Sequence, residues 1–375
     1  MRFRAVISII LTVTMLFVIP LPCFATKSEA ISLSAKSAIL IDADDRCVLY
    51  FKNASERLPM ASTTKIVTAL VASELLDAEK LISIPHEAVG IEGSSVYLCE
   101  GELLTVEQLL YALLLESAND AAVALAISAA GSVESFAKKC NEKAYTLGLC
   151  NTNFTNPHGL YDEAHYTTAY DLAILSAEAL RHPLIRKICA SKTARIPLGV
   201  TKTEPNGTGV RHLKNHNKML STYAGAIGVK TGFTKKSGRC LISAAERDGL
   251  TLIAVTLNAP DDWRDHTAML DYGFDNYERR TIYGAGEFSY NLPVSNGEAP
   301  YIRLKNLSPI KATVKKSTPT HSERIEACFR FAVAPISEGQ ILGKLCVTID
   351  EKTLYSSLVT DSEIKSLDRK HSFFD

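Results

Sequence analysis

The sequence of 375 residues has no excess of charge of either sign, and it holds a single tryptophan. Lysine plus arginine and aspartate plus glutamate both number 41, so the formal net charge of zero gives no argument for a nucleic-acid partner. No spacing of cysteines and histidines resembles a metal site, and no metal or other cofactor is expected. Composition therefore favours neither nucleic-acid binding nor metal-dependent chemistry.

Long hydrophobic runs are also scarce, and the clearest lies at the start of the chain. Arg2 and Arg4 precede an apolar run at 5–20, and small Ala25 follows. This pattern predicts a signal peptide at residues 1–25, hence an exported protein at the cell wall or the outer face of the cytoplasmic membrane. A membrane-spanning anchor is less favoured because the run is short and ends at Pro20.

The cysteines do not follow a disulfide-scaffold pattern. Nine cysteines less Cys23 in the signal peptide leave eight, scattered singly through apolar segments. A mature chain of this length buries an adequate core without covalent links, so we favour free thiols over a disulfide framework. The eight are Cys47, Cys99, Cys140, Cys150, Cys189, Cys240, Cys328 and Cys346.

A Ser-x-x-Lys pattern, Ser62 to Lys65, opens an apolar segment that is typical of a buried helix. Residues three apart lie on one helix face, so the Lys65 amine can reach the Ser62 hydroxyl. A serine becomes a good nucleophile when a base takes its proton, and burial beside another cation lowers a lysine pKa enough to supply that base. The helix N-terminus also favours the oxyanion that forms when Ser62 attacks a carbonyl.

The Ser-x-x-Lys spacing alone is weak, since it recurs at Ser135, Ser308 and Ser362. Two further motifs distinguish Ser62. Ser117-Ala118-Asn119 lies between apolar runs, and Lys230-Thr231-Gly232 leads into a strand-like run. Three such elements in this order make the serine acyl-transfer signature that penicillin-binding proteins share with class A β-lactamases.

The order of elements predicts an α+β catalytic domain at residues 26–281. Strands at 37–42 and 47–51 come before a helical block, and a hairpin at 239–247 and 250–257 comes after it. These remote segments are expected to form one sheet with helices packed on it. Helices are predicted from Ser62 to about residue 81, within 103–131, and at 133–147, 168–182 and 267–277.

Composition changes near residue 282, where short alternating runs bounded by Gly, Pro, Asn and Ser begin. This change predicts a small all-β domain at 282–360 that carries no chemistry. Residues 361–375 are interpreted as a polar tail or weak amphipathic segment. Peripheral membrane contact through this C-terminal segment is a hypothesis, and a frayed tail is the favoured alternative.

With the motifs placed, the chain resembles the D-alanyl-D-alanine carboxypeptidases of peptidase family S11, the low-molecular-mass penicillin-binding proteins. Further segments carry the resemblance, among them Leu103-Leu104-Thr105-Val106-Glu107-Gln108, His158-Gly159-Leu160 and Leu270-Asp271-Tyr272-Gly273-Phe274. The resemblance covers nearly all of the mature chain. It implies a β-lactamase/transpeptidase-like domain plus the β-rich C-terminal domain, and release of D-alanine from peptidoglycan stem peptides ending in D-Ala-D-Ala. It also implies β-lactam antibiotics as covalent inhibitors.

The resemblance also implies roles for the motif residues. Ser62 is expected to be the nucleophile and Lys65 its base, with Ser117 relaying protons and Asn119 holding the substrate backbone. The implied substrate-binding residues are Lys230, Thr231, Gly232, Phe233, Arg239 and Arg264. Among these, Lys230 keeps Lys65 deprotonated, the Thr231 hydroxyl meets the terminal carboxylate, and the backbone N–H groups of Ser62 and Phe233 form the oxyanion hole.

Some assignments stay open. Arg239 and Arg264 are both candidates for binding the substrate carboxylate, and His158 is interpreted as structural. A class A-type β-lactamase is the main enzymatic alternative, but the Glu-x-x-Leu-Asn segment that positions its water is missing between Asn119 and Lys230. A non-catalytic cell-wall binding protein is disfavoured because a binder has no need to confine two lysines beside a serine.

Overall fold

The computed structural model describes residues 31–199, 209–318, 322–327, 331–349 and 352–367. The predicted signal peptide, Cys328 and the end of the C-terminal segment lie outside the described residues. The helices are α1 (Lys65–Leu75), α2 (Val106–Leu115), α3 (Asn119–Ala130), α4 (Val133–Thr146), α5 (Ala169–Arg181), α6 (Pro183–Ala190), α7 (Met219–Thr222) and α8 (Asp262–Asn276). The strands are β1 (Ser37–Asp42), β2 (Val48–Lys52), β3 (Leu81–Ser83), β4 (Leu103–Thr105), β5 (Thr193–Pro197), β6 (Val210–Lys214), β7 (Ala226–Thr234), β8 (Gly238–Arg247), β9 (Leu250–Leu257), β10 (Tyr277–Tyr283), β11 (Ser289–Ser295), β12 (Tyr301–Asn306), β13 (Ile310–Lys315), β14 (Ser322–Ala327), β15 (Ala332–Val333), β16 (Ile341–Ile349) and β17 (Lys352–Thr360).

The central sheet joins strands from both ends of the catalytic part. Its order is β2-β1-β9-β8-β7, and every neighbouring pair is antiparallel. Side chains of one strand alternate between the two faces, so β1 contributes to two cores. Ile39 and Ile41 pack with α1 to α6, whereas Ala38 and Leu40 pack with α8. The α+β class, with one sheet built from remote segments, is confirmed.

Local sequence signals account for several helix starts. Thr105 and Gln108 form a reciprocal capping box that starts α2, and the Thr168 side chain accepts the Asp171 N–H at the start of α5. Pro183 occupies the first turn of α6, where a missing N–H is tolerated. The predicted helix at 168–182 stops at this proline, and α6 itself was not predicted.

Two predicted helix boundaries differ from the structure. The helix after Ser62 was predicted to reach about residue 81 but ends at Leu75, and β3, which pairs with β4, begins at Leu81. The helix predicted at 267–277 begins earlier, because Asp262 and Asp265 sit in its first turn where the helix dipole favours carboxylates. In each case the difference lies at an end of the element rather than in its presence.

The C-terminal part is all-β and has its own core. Its larger sheet has the order β14-β16-β17-β12-β11-β15, and β10 pairs with β13. The strand β10 spans the predicted boundary at residue 281, which stays a prediction. Ile364 is buried and bridges to Ile336, so residues 361–367 pack against this core.

The Arg279 guanidinium connects β10 to the catalytic part. Its Nη1 lies 2.6 Å from Asp45 Oδ2 and 3.3 Å from Asp42 Oδ2. Asp42 is fully buried at the end of β1, and its carboxylate also accepts the Thr313 hydroxyl of β13. Buried charges of this kind need partners, so this cluster ties the two parts together.

Among the described residues, Cys99, Cys140, Cys150, Cys189 and Cys240 are free thiols, and the last two and Cys140 are deeply buried. Burial raises the pKa of Cys240 to about 11 and that of Cys189 to about 12, so these thiols are inert at neutral pH. Across the ranges described above, no single helix has the length and apolar content needed to cross a membrane. The pair α3 and α4 passes that test only together and is bent by 81°.

Candidate active site

Ser62 lies in a 3-10 turn, Ala61–Thr64, that leads directly into α1. The sequence placed Ser62 at the start of a helix, and the structure refines this to a tighter turn ahead of the α-helix. Ala61 adopts a positive φ of 49°, a conformation that non-glycine residues seldom take. Gly159 packs directly against Ala61. A Cβ added to Gly159 would lie 1.9 Å from the Ala61 carbonyl oxygen, so a larger residue does not fit there.

The Lys65 amine is fully buried and has three hydrogen-bond acceptors. Its Nζ lies 2.9 Å from Ser62 Oγ, 2.6 Å from Asn119 Oδ1 and 2.8 Å from the His158 carbonyl oxygen. The carbonyl oxygens of Asn119 and His158 can only accept hydrogen bonds. A neutral amine would give both of its hydrogens to them, and its lone pair would then face the Ser62 hydroxyl.

The amide of Asn119 is held in the orientation that this arrangement needs. Its Nδ2 donates to the Glu92 carbonyl oxygen at 2.5 Å, so Oδ1 is the atom turned toward Lys65. Asn119 is the first residue of α3 and is almost completely buried. The second motif therefore supplies a fixed acceptor for the lysine.

Ser117 lies in the link between α2 and α3, two residues before Asn119. Its φ of 61° puts it in the left-handed region, and its side chain is 5 % exposed. The next residue anchors the turn, because the Ala118 N–H donates to the Ala112 carbonyl oxygen at 3.2 Å. The left-handed backbone at Ser117 therefore makes the sharp turn that joins α2 to the start of α3, where Asn119 lies.

Electrostatics favour a neutral Lys65. Burial is the largest cause and the Lys230 charge the second, and together they take the pKa of Lys65 well below its ordinary value. The Asp120 carboxylate acts in the opposite direction but more weakly. A lysine whose pKa is lowered in this way is a better proton acceptor than an ordinary lysine.

Lys230 lies on β7 opposite Ile242 of β8 and is also buried. Its Nζ donates to the Thr231 carbonyl oxygen at 3.0 Å. Burial lowers the pKa of Lys230 to about 8, so the amine is mostly charged at neutral pH. It supplies the second cation that lowers the pKa of Lys65.

The strand β7 lies at the edge of the sheet and passes close to Ser62. A Cβ added to Gly232 would lie 2.9 Å from the Ser62 backbone nitrogen and 3.0 Å from that of Thr63. Only glycine permits this approach without displacing the turn. Phe233 follows with a side chain 65 % exposed, and Thr231 is partly exposed on the same strand. Within the described residues β7 pairs with β8 alone, so its outer edge is free to pair with an extended peptide.

The two candidate arginines occupy different places. Arg239 pairs in register with Phe233 across β7 and β8, and its guanidinium bonds to Asp262 at 2.8 Å. Arg264 lies on α8, the helix on the sheet face opposite α1 to α6, where it is exposed beside a cavity of about 560 Å³. The Arg239 guanidinium thus points to α8, the helix that also carries Arg264, and no contact in the described residues brings either arginine to Ser62.

His158 contributes a group that the sequence analysis missed. Its imidazole Nδ1 accepts the Leu160 N–H, as a structural residue would, but its backbone carbonyl accepts from Lys65. Burial, then the Lys65 charge, lowers the pKa of the imidazole to about 3, so it stays neutral. The Asn156-Pro157-His158-Gly159 turn was visible in the sequence, but a backbone acceptor carries no side-chain signal.

Titratable groups elsewhere do not form a metal centre in the part of the chain that the structure describes. No cluster of three or more His, Cys, Asp or Glu side chains there has the arrangement of a metal site. The groups gathered at Ser62 are instead the Lys65 amine and, through it, the Asn119 amide and the His158 carbonyl, with the Lys230 charge acting on the same amine. This set is suited to acyl transfer through a serine.

Comparisons with known proteins agree with this arrangement. A family model for D-alanyl-D-alanine carboxypeptidases, peptidase S11, matches residues 24–261, and one for the penicillin-binding protein 5 C-terminal domain matches residues 277–366. The D-alanyl-D-alanine carboxypeptidase DacF of Bacillus subtilis is 35 % identical over 346 residues, which cover 90 % of this chain and 87 % of that protein.

Solved structures give the same result. Penicillin-binding protein 5 from Haemophilus influenzae superposes with a TM-score of 0.73 at 26 % identity, covering 90 % of this chain and 99 % of the other. A mutant of the Streptomyces K15 DD-transpeptidase is 35 % identical with a TM-score of 0.62, covering 66 % of this chain and 100 % of the other. The expected fold and enzyme class are confirmed, and the chain belongs to the D-alanyl-D-alanine carboxypeptidase family, peptidase S11.

Proposed function

We propose that this protein removes the terminal D-alanine from peptidoglycan stem peptides through an acyl-enzyme on Ser62. The observation that carries the proposal is the 2.9 Å contact between Ser62 Oγ and Lys65 Nζ. The same amine is held by two carbonyl oxygens that can only accept hydrogen bonds, those of Asn119 and His158. Neutral Lys65 takes the Ser62 proton as Oγ attacks the carbonyl carbon of the penultimate residue. The backbone N–H groups of Ser62 and Phe233 receive the oxyanion.

Collapse of the tetrahedral species breaks the peptide C–N bond and leaves an ester on Ser62. The departing D-alanine nitrogen needs a proton, which Lys65 returns through the Ser117 hydroxyl. Water then attacks the ester, and the same groups transfer its proton so that the stem peptide leaves as a carboxylate. Each proton taken by Lys65 is returned, so the enzyme is regenerated without a cofactor.

Substrate binding is assigned to β7 and its neighbours. The free edge of β7 pairs with the peptide backbone, and Gly232 permits that strand to lie against Ser62. Lys230 and Thr231 attract the terminal carboxylate, and Arg239 and Arg264 both stay candidates for a further cation, since the Arg239 guanidinium is bound to Asp262. β-Lactam antibiotics enter the same site as covalent inhibitors.

Its place of action is proposed to be outside the cytoplasmic membrane, at the cell wall. The predicted signal peptide and the nature of the substrate support this location. Peripheral membrane contact through the C-terminal segment is a weaker proposal, because the one apolar residue of the described stretch that is buried, Ile364, packs inward. Binding of the purified protein to lipid vesicles tests that contact.

The proposed activity is tested by D-alanine release from a peptide ending in D-Ala-D-Ala. The wild-type protein is expected to release one D-alanine per peptide, and Ser62→Ala is expected to lose at least about 10³-fold in rate. Ser135→Ala is the matched control, since Ser135 has the same Ser-x-x-Lys spacing but is exposed on α4. Equal activity of Ser62→Ala and the control would contradict the proposal.

A further inference from the structure

Asp120 is a buried carboxylate that the proposed reaction does not use. It follows Asn119 in the first turn of α3 and is 1 % exposed. Within the residues described, no lysine or arginine forms an ion pair with it, and its hydrogen bonds come from neutral donors. A buried carboxylate without an ionic partner costs folding free energy unless neutral donors hydrogen-bond to it. The burial of Asp120 therefore needs an explanation beyond the proposed reaction.

The carboxylate of Asp120 binds one loop at three points. Its Oδ2 accepts the Ser95 hydroxyl at 2.6 Å, the Val96 N–H at 3.1 Å and the Leu98 N–H at 3.0 Å. Its Oδ1 accepts the Ala121 N–H of its own helix at 2.9 Å. The loop of residues 92–98 is therefore attached to the N-terminus of α3 through this side chain.

The same loop holds Asn119. The Ser94 carbonyl oxygen accepts the Asn119 N–H at 2.7 Å, and the Glu92 carbonyl oxygen accepts the Asn119 side-chain amide at 2.5 Å. The loop and the Asn119 side chain are in close contact, since a Cβ added to Gly93 would lie 2.9 Å from Asn119 Nδ2. The loop thus decides which atom of the Asn119 amide faces Lys65.

We propose that Asp120 is a positioning residue, which fixes loop 92–98 so that the Asn119 amide presents its oxygen to Lys65. The inference rests on the proposed roles of Ser62 and Lys65. Successive helix residues point about 100° apart. Asn119 can therefore face the lysine while Asp120 faces the loop.

Arg211 holds the outer side of the same loop. Its Nε donates to the Val96 carbonyl oxygen at 2.9 Å and its Nη2 to the Tyr97 carbonyl oxygen at 3.2 Å, while Glu102 pairs with it at 2.5 Å. Arg211 thus binds carbonyl groups, and Asp120 binds N–H groups of the same short segment. A loop held from both sides is rigid enough to fix the orientation of the Asn119 amide.

The main alternative is that Asp120 only stabilises the fold. Asp171 provides a matched control, because it is also buried in the first turn of a helix and also holds a loop. Its Oδ2 accepts the Thr152 hydroxyl at 2.7 Å and the Asn151 N–H at 3.1 Å. These contacts do not involve Lys65 or Asn119, so an effect on stability alone would appear equally in both variants.

The experiment compares Asp120→Asn with Asp171→Asn in the full mature protein. Acylation of Ser62 by a chromogenic cephalosporin gives the rate, and thermal unfolding gives the stability. Asp120→Asn is expected to lower acylation about 30-fold, within the range for a misplacement of about 1 Å, while Asp171→Asn stays within about three-fold of wild type. Comparable losses of acylation in both variants, or an Asp120→Asn rate within about three-fold of wild type, would overturn the proposal.

Two milder variants keep the test decisive if Asp120→Asn does not fold. Ser95→Ala removes one hydrogen bond from Asp120, and Gly93→Ala pushes on the Asn119 amide directly. Both are expected to lower acylation about five-fold. Unchanged rates in both would overturn the proposal.

The pH profile separates loss of the Asp120 charge from loss of position. The charged or titratable groups that act on Lys65 are Lys230 on β7, His158 on its loop and, from behind Asn119, Asp120 on α3. Asp120 favours the ammonium form of Lys65, so loss of its charge alone moves the acid limb of acylation to lower pH and leaves the plateau rate unchanged. Loss of the positioned Asn119 amide lowers the plateau rate as well, and an unchanged plateau in Asp120→Asn would overturn the proposal. A wild-type protein that is never acylated on Ser62 would overturn the proposed function as well, whereas an acylated wild type with an unaffected Asp120→Asn overturns the positioning role alone.

Discussion

The Asn119 amide oxygen lies 2.6 Å from Lys65 Nζ, although the two residues are 54 positions apart in the sequence. Because the Glu92 carbonyl oxygen holds the other end of the amide, this oxygen remains an acceptor whatever the protonation state of the lysine. The contact fixes one hydrogen of a neutral amine, and the His158 carbonyl oxygen fixes the other. The lone pair is thereby directed at Ser62 without any further group.

Replacing Lys65 removes the proposed base. Lys65→Ala is expected to lower acylation of Ser62 at neutral pH by at least about 100-fold, the usual contribution of a positioned base. The control is Lys138→Ala, since Lys138 follows Ser135 at the same spacing but is exposed on α4. Stopped-flow measurement with a chromogenic β-lactam gives both rates. Near-normal acylation by Lys65→Ala would refute the assignment.

Substitution of Gly232 tests the close approach of β7 to the nucleophile. Gly232→Ala introduces a Cβ 2.9 Å from the Ser62 nitrogen, so the turn or the strand must move and the oxyanion site is distorted. Loss of one oxyanion donor costs about 10²-fold or more, and a fall of that size is expected in acylation. Gly284→Ala is the control, because its new Cβ would meet only the flexible end of Glu287. The idea fails if both variants acylate at the wild-type rate.

The pH dependence of acylation follows from the two lysines. Burial, then Lys230, depresses the pKa of Lys65, so acylation should decline as the pH falls through that pKa and Lys65 gains a proton. Burial lowers the pKa of Lys230 to about 8, so a second decline is expected above about pH 8 as Lys230 loses its charge. His158, with a pKa of about 3, does not titrate in this range. A rate that keeps rising well beyond pH 8 would contradict the role of Lys230.

The contact between the catalytic and C-terminal parts is expected to affect stability but not chemistry. Arg279→Ala leaves the buried carboxylate of Asp42 without its cation, which should reduce the free energy of unfolding by about 3 kcal/mol. Arg303→Ala removes only an exposed charge at 3.9 Å from Asp361 and should cost less than about 0.5 kcal/mol. Denaturant titration measures both, and a large loss of Ser62 acylation in folded Arg279→Ala would show that the C-terminal part does contribute to catalysis.

The sequence predicted the central sheet because its strands carry strong local signals. The two hairpins of β1 with β2 and β8 with β9 were found within one residue at each end, since continuous β-rich runs flank short turns. Helix α6 was missed because Pro183 both ends one helix and begins the next. A proline at the first turn and a proline after a helix look the same without the tertiary structure.

The candidate site was predictable only where side-chain identity carries the chemistry. Ser62, Lys65 and Asn119 were found from their motifs, and the structure brings them within hydrogen-bond distance. The His158 carbonyl was not found, because every residue has such a group and only the fold selects one. The choice between Arg239 and Arg264 stays open, and the structure adds only that the Arg239 guanidinium is already bound to Asp262.

The most direct test of the account is the mass of the protein after mixing with benzylpenicillin. Carboxypeptidases and class A β-lactamases both acylate their serine, and they differ in how fast water removes the acyl group. This chain lacks the Glu-x-x-Leu-Asn segment that positions such a water, so a covalent adduct on the peptide containing Ser62 is expected to persist for minutes or longer. Rapid recovery of unmodified protein, together with no release of D-alanine from a D-Ala-D-Ala peptide, would contradict the account and favour a β-lactamase.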